Sequence, residues 1–351
     1  MTGMSAAEAA ALYRHAVVVD CLNGSALRPD VIARMAASGV TALNLTAVQI
    51  GADLAGALRD LAATIETVER HGDRLMLVRA PADVAAAKRA GKVGIILGMQ
   101  DAEPIGRDLA MLRVLSEIGV RIIQITHNRR SVVGTGCVEA DDGLSRFGRA
   151  LVGEMNRLGL VVDVAHCGPR TTLDAIEHSA LPVLCSHSNP SAVSPSPRNK
   201  SDEIIRRLAA RGGVIGIAVW SPIVQRGDGR RPTMADVLDC LDHALALVGP
   251  DHVAIGTDLC EEAVPDPVDW ARIYGPDGNF PEVTGGLGPW YGFATVNAEG
   301  IETIAGLPGF AAGMAERGHD AATIAKVLGG NFQRLFAAVT AARVGVGRQA
   351  A

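Results

Sequence analysis

Short runs of β-branched and aliphatic residues recur along the chain, each followed by a stretch rich in Ala, Leu and Arg with helical spacing. Eight such runs stand out: Ala16–Asp20, Val40–Val48, Val93–Leu97, Val120–Thr126, Leu160–Ala165, Pro182–Ser186, Gly213–Val219 and His252–Gly256. Runs that are apolar at consecutive positions suit strands buried on both faces. Between them the pattern predicts helices over Ala52–His71, Gly106–Gly119, Ser145–Gly159, Arg170–Ser179, Lys200–Arg211 and Thr233–Val248.

Strands alternating with helices pair in parallel through right-handed crossovers. Eight such units within residues 16–260 match the size of a (β/α)8 TIM barrel of the α/β class. A doubly wound dinucleotide fold would place a Gly-rich phosphate turn after the first run, and DCLNGS is not one. The expectation is a single domain: a barrel over about 16–260, then a loop and helical cap over about 261–344. The loop is the Gly/Pro-rich stretch Pro265–Gly292, the cap closes on VLGGNFQRLFAAV, and fraying is expected after Val344.

Composition narrows the partners. The chain has 351 residues, 48% hydrophobic but only 3% aromatic, so its core must be built from Ala, Val, Leu and Ile. Lys and Arg (33) nearly balance Asp and Glu (38) and are spread along the chain, which leaves no basic footprint for nucleic acid or anionic lipid. No run of membrane-spanning length appears, and Met1–Arg14 lacks the pattern of a secretory signal. The six cysteines, Cys21, Cys137, Cys167, Cys185, Cys240 and Cys260, contain no C-x-x-C pair. They read as reduced thiols in a cytoplasmic protein.

The chemistry concentrates where the runs end. The third ends at Gln100 and Asp101, the fourth at His127, the fifth at His166, the sixth at His187, the seventh near Trp220 and the eighth at Asp258. In a barrel these positions share one mouth. Imidazole and carboxylate groups ligate borderline divalent metals and exchange protons near neutral pH, so the set reads as a metal-assisted hydrolase site. One histidine after a strand is equally a turn residue, and the other six (His15, His71, His178, His243, His252, His319) are read as structural or solvated. Arg129 and Arg130 read as a solvated pair, whereas Arg198, in the proline-flanked SPSPRNK, reads as an anion clamp. Trp220 is expected to touch substrate. Trp270 and Tyr274 of the loop either line the mouth or pack on its rim.

The segments ITHN, GLSRFGRALVGEMNRLGLVVDVAH, PVLCSHSNPSAVSPSPRN, GGVIGIAV, HVAIGTDL and LGGNFQRLF together resemble the membrane dipeptidase (renal dipeptidase) family of zinc peptidases, barrel members of the amidohydrolase superfamily. The resemblance implies a binuclear zinc site that hydrolyses dipeptides, in a homodimer. It assigns His166 and His187 to one metal, His127 to the substrate oxygen, Arg198 to the substrate carboxylate and Asp258 to proton movement. Two departures stand out. Where the family reads D-G-H-N-D the chain has Asp20-Cys21-Leu22-Asn23-Gly24, and where it reads G-x-E-G the chain has Gly98-Met99-Gln100-Asp101. Leucine and glycine offer no lone pair, and an amide replaces the bridging carboxylate. One zinc ion rather than two is therefore expected, on His166 and His187 with Asp258 or Gln100; Cys21, Asp101 and Glu103 are candidates to replace a missing ligand, and an empty site stays open. The expected function is a dipeptidase-like metallohydrolase of a small amide or dipeptide-like carboxylate. The alternatives are a lyase or other hydrolase, or a metal-free ligand-binding homologue.

Overall fold

The computed structural model describes residues 4–343, so the expected fraying after Val344 lies outside the described residues. Among the described residues there are nine strands: β1 (Val19–Asn23), β2 (Ala42–Thr46), β3 (Leu75–Leu77), β4 (Val93–Met99), β5 (Val120–Gln124), β6 (Val161–Asp163), β7 (Leu184–Ser188), β8 (Val214–Ile217) and β9 (Val253–Ile255). All pair in parallel in the order β2-β1-β9-β8-β7-β6-β5-β4-β3, and a β2–β4 pairing closes the ring. The result is an eight-stranded (β/α)8 barrel surrounded by helices. The extra strand β3 pairs with Val93, Gly94 and Ile95 of β4, below the stretch of β4 that pairs with β5.

Each of the eight apolar runs overlaps a barrel strand; five enclose a shorter one, whereas β1, β4 and β7 continue two or three residues past the end of the run. One shift matters for the site: β7 extends to Ser188, so His187 sits within the strand rather than in the loop after it. The six expected helices all form within a few residues of their expected limits. Helix Arg146–Leu158 shows why: Ser145 caps its N-terminus by accepting from Gly148 N at 2.9 Å, Gly159 ends it at φ 66°, and Leu151, Val152, Met155 and Leu158 turn one apolar face inward.

Three further helices, Ala6–His15, Pro29–Ser38 and Pro81–Ala90, join the outer ring. The loop Pro265–Gly292 is not irregular throughout, since it contains the helix Pro267–Tyr274, capped by Asp266, and a helical turn Pro281–Thr284.

The barrel interior is closed at one end by the helix Asn331–Ala341. Its Phe332, Leu335, Phe336 and Val339 pack with one or two residues from every barrel strand, among them Val19, Ala42, Ile96, Ile122, Val161, Leu184, Val214 and Ala254. Most of these lie at the beginnings of the strands, which leaves the opposite end for chemistry. Backbones crowd closely around Ser186 there: a Cβ on Gly216 or Gly256 would lie 2.0 or 1.7 Å from its carbonyl oxygen, so both positions require glycine. No helix among the described residues is long and apolar enough to cross a membrane.

Candidate active site

A cavity of about 250 Å³ opens at the C-terminal ends of the strands. Its floor carries Gln100, His127, Asn128, His166 and Asp258, and its walls include Trp220, Trp270, Tyr274, Phe280 and Phe293. The long loop after β9 thus supplies much of the wall. His187 lies immediately beneath, fully buried, with its Nε2 2.9 Å from His166 Nε2.

The surrounding bonds fix how the two imidazoles present themselves. His166 Nδ1 donates to Asn128 Oδ1 at 2.7 Å. His187 Nδ1 lies 2.6 Å from Ser186 Oγ, and that hydroxyl has one hydrogen, which goes to Asp163 Oδ2 at 2.5 Å. Ser186 Oγ therefore accepts from His187 Nδ1. Burial, reinforced by the nearby Arg198 charge, holds both rings well below the usual histidine range, so neither carries a second proton at neutral pH. Both Nε2 lone pairs then point at each other across 2.9 Å, an arrangement that calls for a cation between them. His127 stacks on His166 with ring centroids 4.1 Å apart, and burial lowers it to about 3, so it too is neutral.

Asp258 follows β9 in a left-handed conformation, φ 61°, which aspartate tolerates better than most residues. Its position is set from below: Asp20 of β1 accepts from Thr257 N at 2.8 Å and from Thr257 Oγ1 at 2.6 Å. Asp258 Oδ1 lies 3.9 Å from His187 Nε2. Burial raises its carboxyl to about 7, against the opposing pull of Arg198.

Arg198 is not where the sequence placed it. It is 1% exposed and does not line the cavity; one terminal nitrogen donates to Ala165 O and the other to His187 O at 2.8 Å. The guanidinium ties the ends of β6 and β7 together under the histidines, and its Nε has no hydrogen-bond partner among the described residues. A loop flanked by prolines looked like part of the rim, but the fold tucks its arginine under the floor because two strand-end carbonyls converge there.

The other candidates for missing ligands are placed elsewhere. Asp101 accepts from Gly51 N at 2.6 Å and from Glu103 N at 3.2 Å, and with Glu103 it lines a neighbouring hollow rather than this cavity. Cys21 is fully buried inside the barrel among Val19, Ala42 and Ala254. Gln100 does reach the cavity, with its Nε2 donating to Thr46 Oγ1 at 2.9 Å. Arg129 and Arg130 are exposed but not solitary, lying 3.3 Å from Glu282 and 2.7 Å from Asp142. Sequence reasoning missed Asn128, Ser186 and Asp163, which orient the two histidines; their signal was adjacency in ITHN and CSHS and the polar Asp163 inside an apolar run. It also assigned no role at the mouth to Cys260, which lines the cavity.

Among the described residues no three His, Cys, Asp or Glu side chains form a ready-made coordination set. The donors present fit one divalent ion held by His166 and His187, with Asp258 the nearest carboxylate and Gln100 a neutral oxygen. They do not fit a second ion. Leu22 is buried and lies outside the cavity lining, Gly24 has no side chain, and residue 100 is an amide.

Comparison with known proteins places this geometry. Residues 7–269 match the profile described as Membrane dipeptidase (Peptidase family M19). Dipeptidase verJ of Clonostachys rogersoniana is 33% identical over 195 residues, 55% of this chain and 50% of that protein. An uncharacterized dipeptidase of Schizosaccharomyces pombe is 32% identical over 208 residues, 58% of this chain and 50% of its own length. The aligned region thus spans about half the length of these curated relatives. Among solved structures, an amidohydrolase from Pseudomonas aeruginosa superposes with a TM-score of 0.84 at 30% identity, covering 95% of this chain and 99% of that one. A metallo peptidase from Rhodobacter sphaeroides, liganded with a phosphinate mimic of the dipeptide L-Ala-D-Ala, has a TM-score of 0.76 at 23% identity over 92% and 99%, a likeness of fold. With the matched profile spanning the barrel and the start of the mouth loop, the chain belongs to the membrane dipeptidase family of metallopeptidases.

Proposed function

We propose that this chain is a dipeptidase-like hydrolase of small amides that works with one divalent metal ion, zinc by preference. The observation that carries the reading is the pair of Nε2 lone pairs converging across 2.9 Å at the floor of the cavity, with both Nδ1 hydrogens already committed. Two neutral imidazoles and a carboxylate form a borderline donor set that suits zinc. Such an ion, when bound, supplies Lewis-acid polarisation of a carbonyl and activation of water. Asp258 is the acid–base group in reach of the floor, and it takes and returns the proton at its carboxylate. His127, kept neutral and braced by the His166 ring, offers an N–H to the substrate oxygen. Arg198 is a positioning residue here: it holds the carbonyls of Ala165 and His187, and the substrate carboxylate must find another partner. Trp220 serves as a wall for the bound substrate. A homodimer rests on the family resemblance alone, and a cytoplasmic setting is supported by six free cysteines.

The test is metal content by mass spectrometry together with hydrolysis of a dipeptide panel, on protein purified without chelator. About one equivalent per chain, lost with activity in His187→Ala, supports the reading. Two equivalents, or hydrolysis that survives complete metal removal, overturns it. The second reading, a metal-free ligand-binding homologue, is favoured by the absence of a complete three-ligand set among the described residues, and it gains if no metal binds and no amide is cleaved.

A further inference from the structure

We propose that the mouth selects substrates bearing an uncharged aromatic side chain beside the scissile amide, an inference that rests on the hydrolase reading above and deepens it. The chain is poor in aromatics, with three Trp, three Tyr and six Phe, yet seven of these twelve fall between Trp220 and Phe293. Five of the seven line the cavity. They form a wall that begins at the chemistry: Phe280 meets the His127 ring edge-on at 5.7 Å, Tyr274 lies 5.9 Å beyond it, and Phe293 meets Trp270 at 6.0 Å. A group bound at His127 therefore meets Phe280 next, in a geometry that suits a third ring.

The charges lining the same cavity argue against an acidic side chain. Glu261, Glu262 and Glu302 line it, and the one Lys or Arg lining it among the described residues, Arg34, is spent on Glu261 at 2.8 Å and Asp30 at 3.2 Å. Phe293 lines the cavity yet remains 42% exposed, which leaves an apolar face for a ligand to cover. Most of this wall lies beyond the matched family profile, which ends at residue 269.

All three tryptophans of the chain lie in this segment and two of them, Trp220 and Trp270, line the cavity, so intrinsic fluorescence reports on the mouth and its loop. The probes are ketomethylene analogues, with CH2 in place of the amide NH, of Phe-Ala, Ala-Phe, Ala-Ala and Glu-Ala, titrated into the protein as isolated. We expect at least one Phe analogue to bind about tenfold more tightly than Ala-Ala, with Glu-Ala weakest. Phe280→Ala should bring the Phe/Ala ratio close to one, and Phe293→Ala, at a more exposed position, should lower it without risk to folding. Equal binding of Ala-Ala, tightest binding of Glu-Ala, an unchanged ratio in both variants, or no binding of any Phe analogue at millimolar concentration overturns the inference. Because the probes cannot be cleaved, the two readings fail separately. Discrimination without hydrolysis of real dipeptides leaves the pocket standing and removes the hydrolase; hydrolysis without discrimination does the reverse.

Discussion

A Cβ built on Gly24 would lie 2.7 Å from Cys260 Sγ, so the thiol occupies the space into which a side chain at residue 24 would project. The family resemblance would set an aspartate at this position, and in this chain a thiol from the segment after β9 takes up that space.

Gly24→Ala should destabilise the fold by about 1–3 kcal/mol through overpacking, and adding Cys260→Ala should recover most of that. A urea-denaturation double-mutant cycle measures the coupling. Additive costs would show that the thiol does not occupy the space.

The bonds behind the histidines should set metal affinity. Ser186→Ala removes the acceptor of His187 Nδ1, and Asn128→Ala removes that of His166. Each is expected to weaken zinc binding about 10–100-fold, read by competition with a chromophoric chelator. Unchanged affinity in both would detach these bonds from any metal site.

Arg198→Met separates two roles. If the arginine ties strand ends together, the variant should lose about 2–4 kcal/mol of stability, since two buried carbonyls lose charged donors, while KM for a dipeptide rises little in the protein that folds. A carboxylate clamp would give the opposite split, a large KM increase with stability intact.

Asp101 gives a pH-dependent test away from the histidines. Burial raises its carboxyl to about 6 despite two backbone donors. A folded-state value above the ordinary 3.8 means the protonated form is favoured on folding. Its stabilising contribution is thus full below about pH 4 and lost as pH rises through about 6. The melting temperature of the wild type minus that of Asp101→Asn should fall across that window, and a flat difference would contradict the assignment.

The barrel was legible because its strands are buried on both faces and read as unbroken apolar runs, and because His127, His166 and Asp258 stand directly where those runs stop. The rest was hidden for physical reasons. β3 is three residues long, too short for any periodicity. Helices Ala6–His15, Pro29–Ser38 and Pro81–Ala90 are alanine-rich, so their faces contrast poorly, although Ser5 with Glu8, Pro29 with Gly39 and Pro81 with Gly91 marked their ends. Arg198 shows the limit most clearly: local sequence reports a rigid loop but not which carbonyls, from strand ends 33 and 11 residues earlier in the chain, come together beneath it.

The altered strand ends also bear on how this chain can change. Leu22 is buried, residue 24 is blocked by a thiol, and Gln100 is bonded to Thr46. Building a second-ion site of the kind the resemblance implies would need a histidine at 22, carboxylates at 24 and 100 and a smaller residue at 260, and each of the first three made alone adds bulk or unpaired charge to packed structure. Those three steps each run uphill when taken singly, whereas most of the aromatic wall is carried on a loop outside the barrel. A change of side-chain preference therefore asks less of this fold than a second metal ion would.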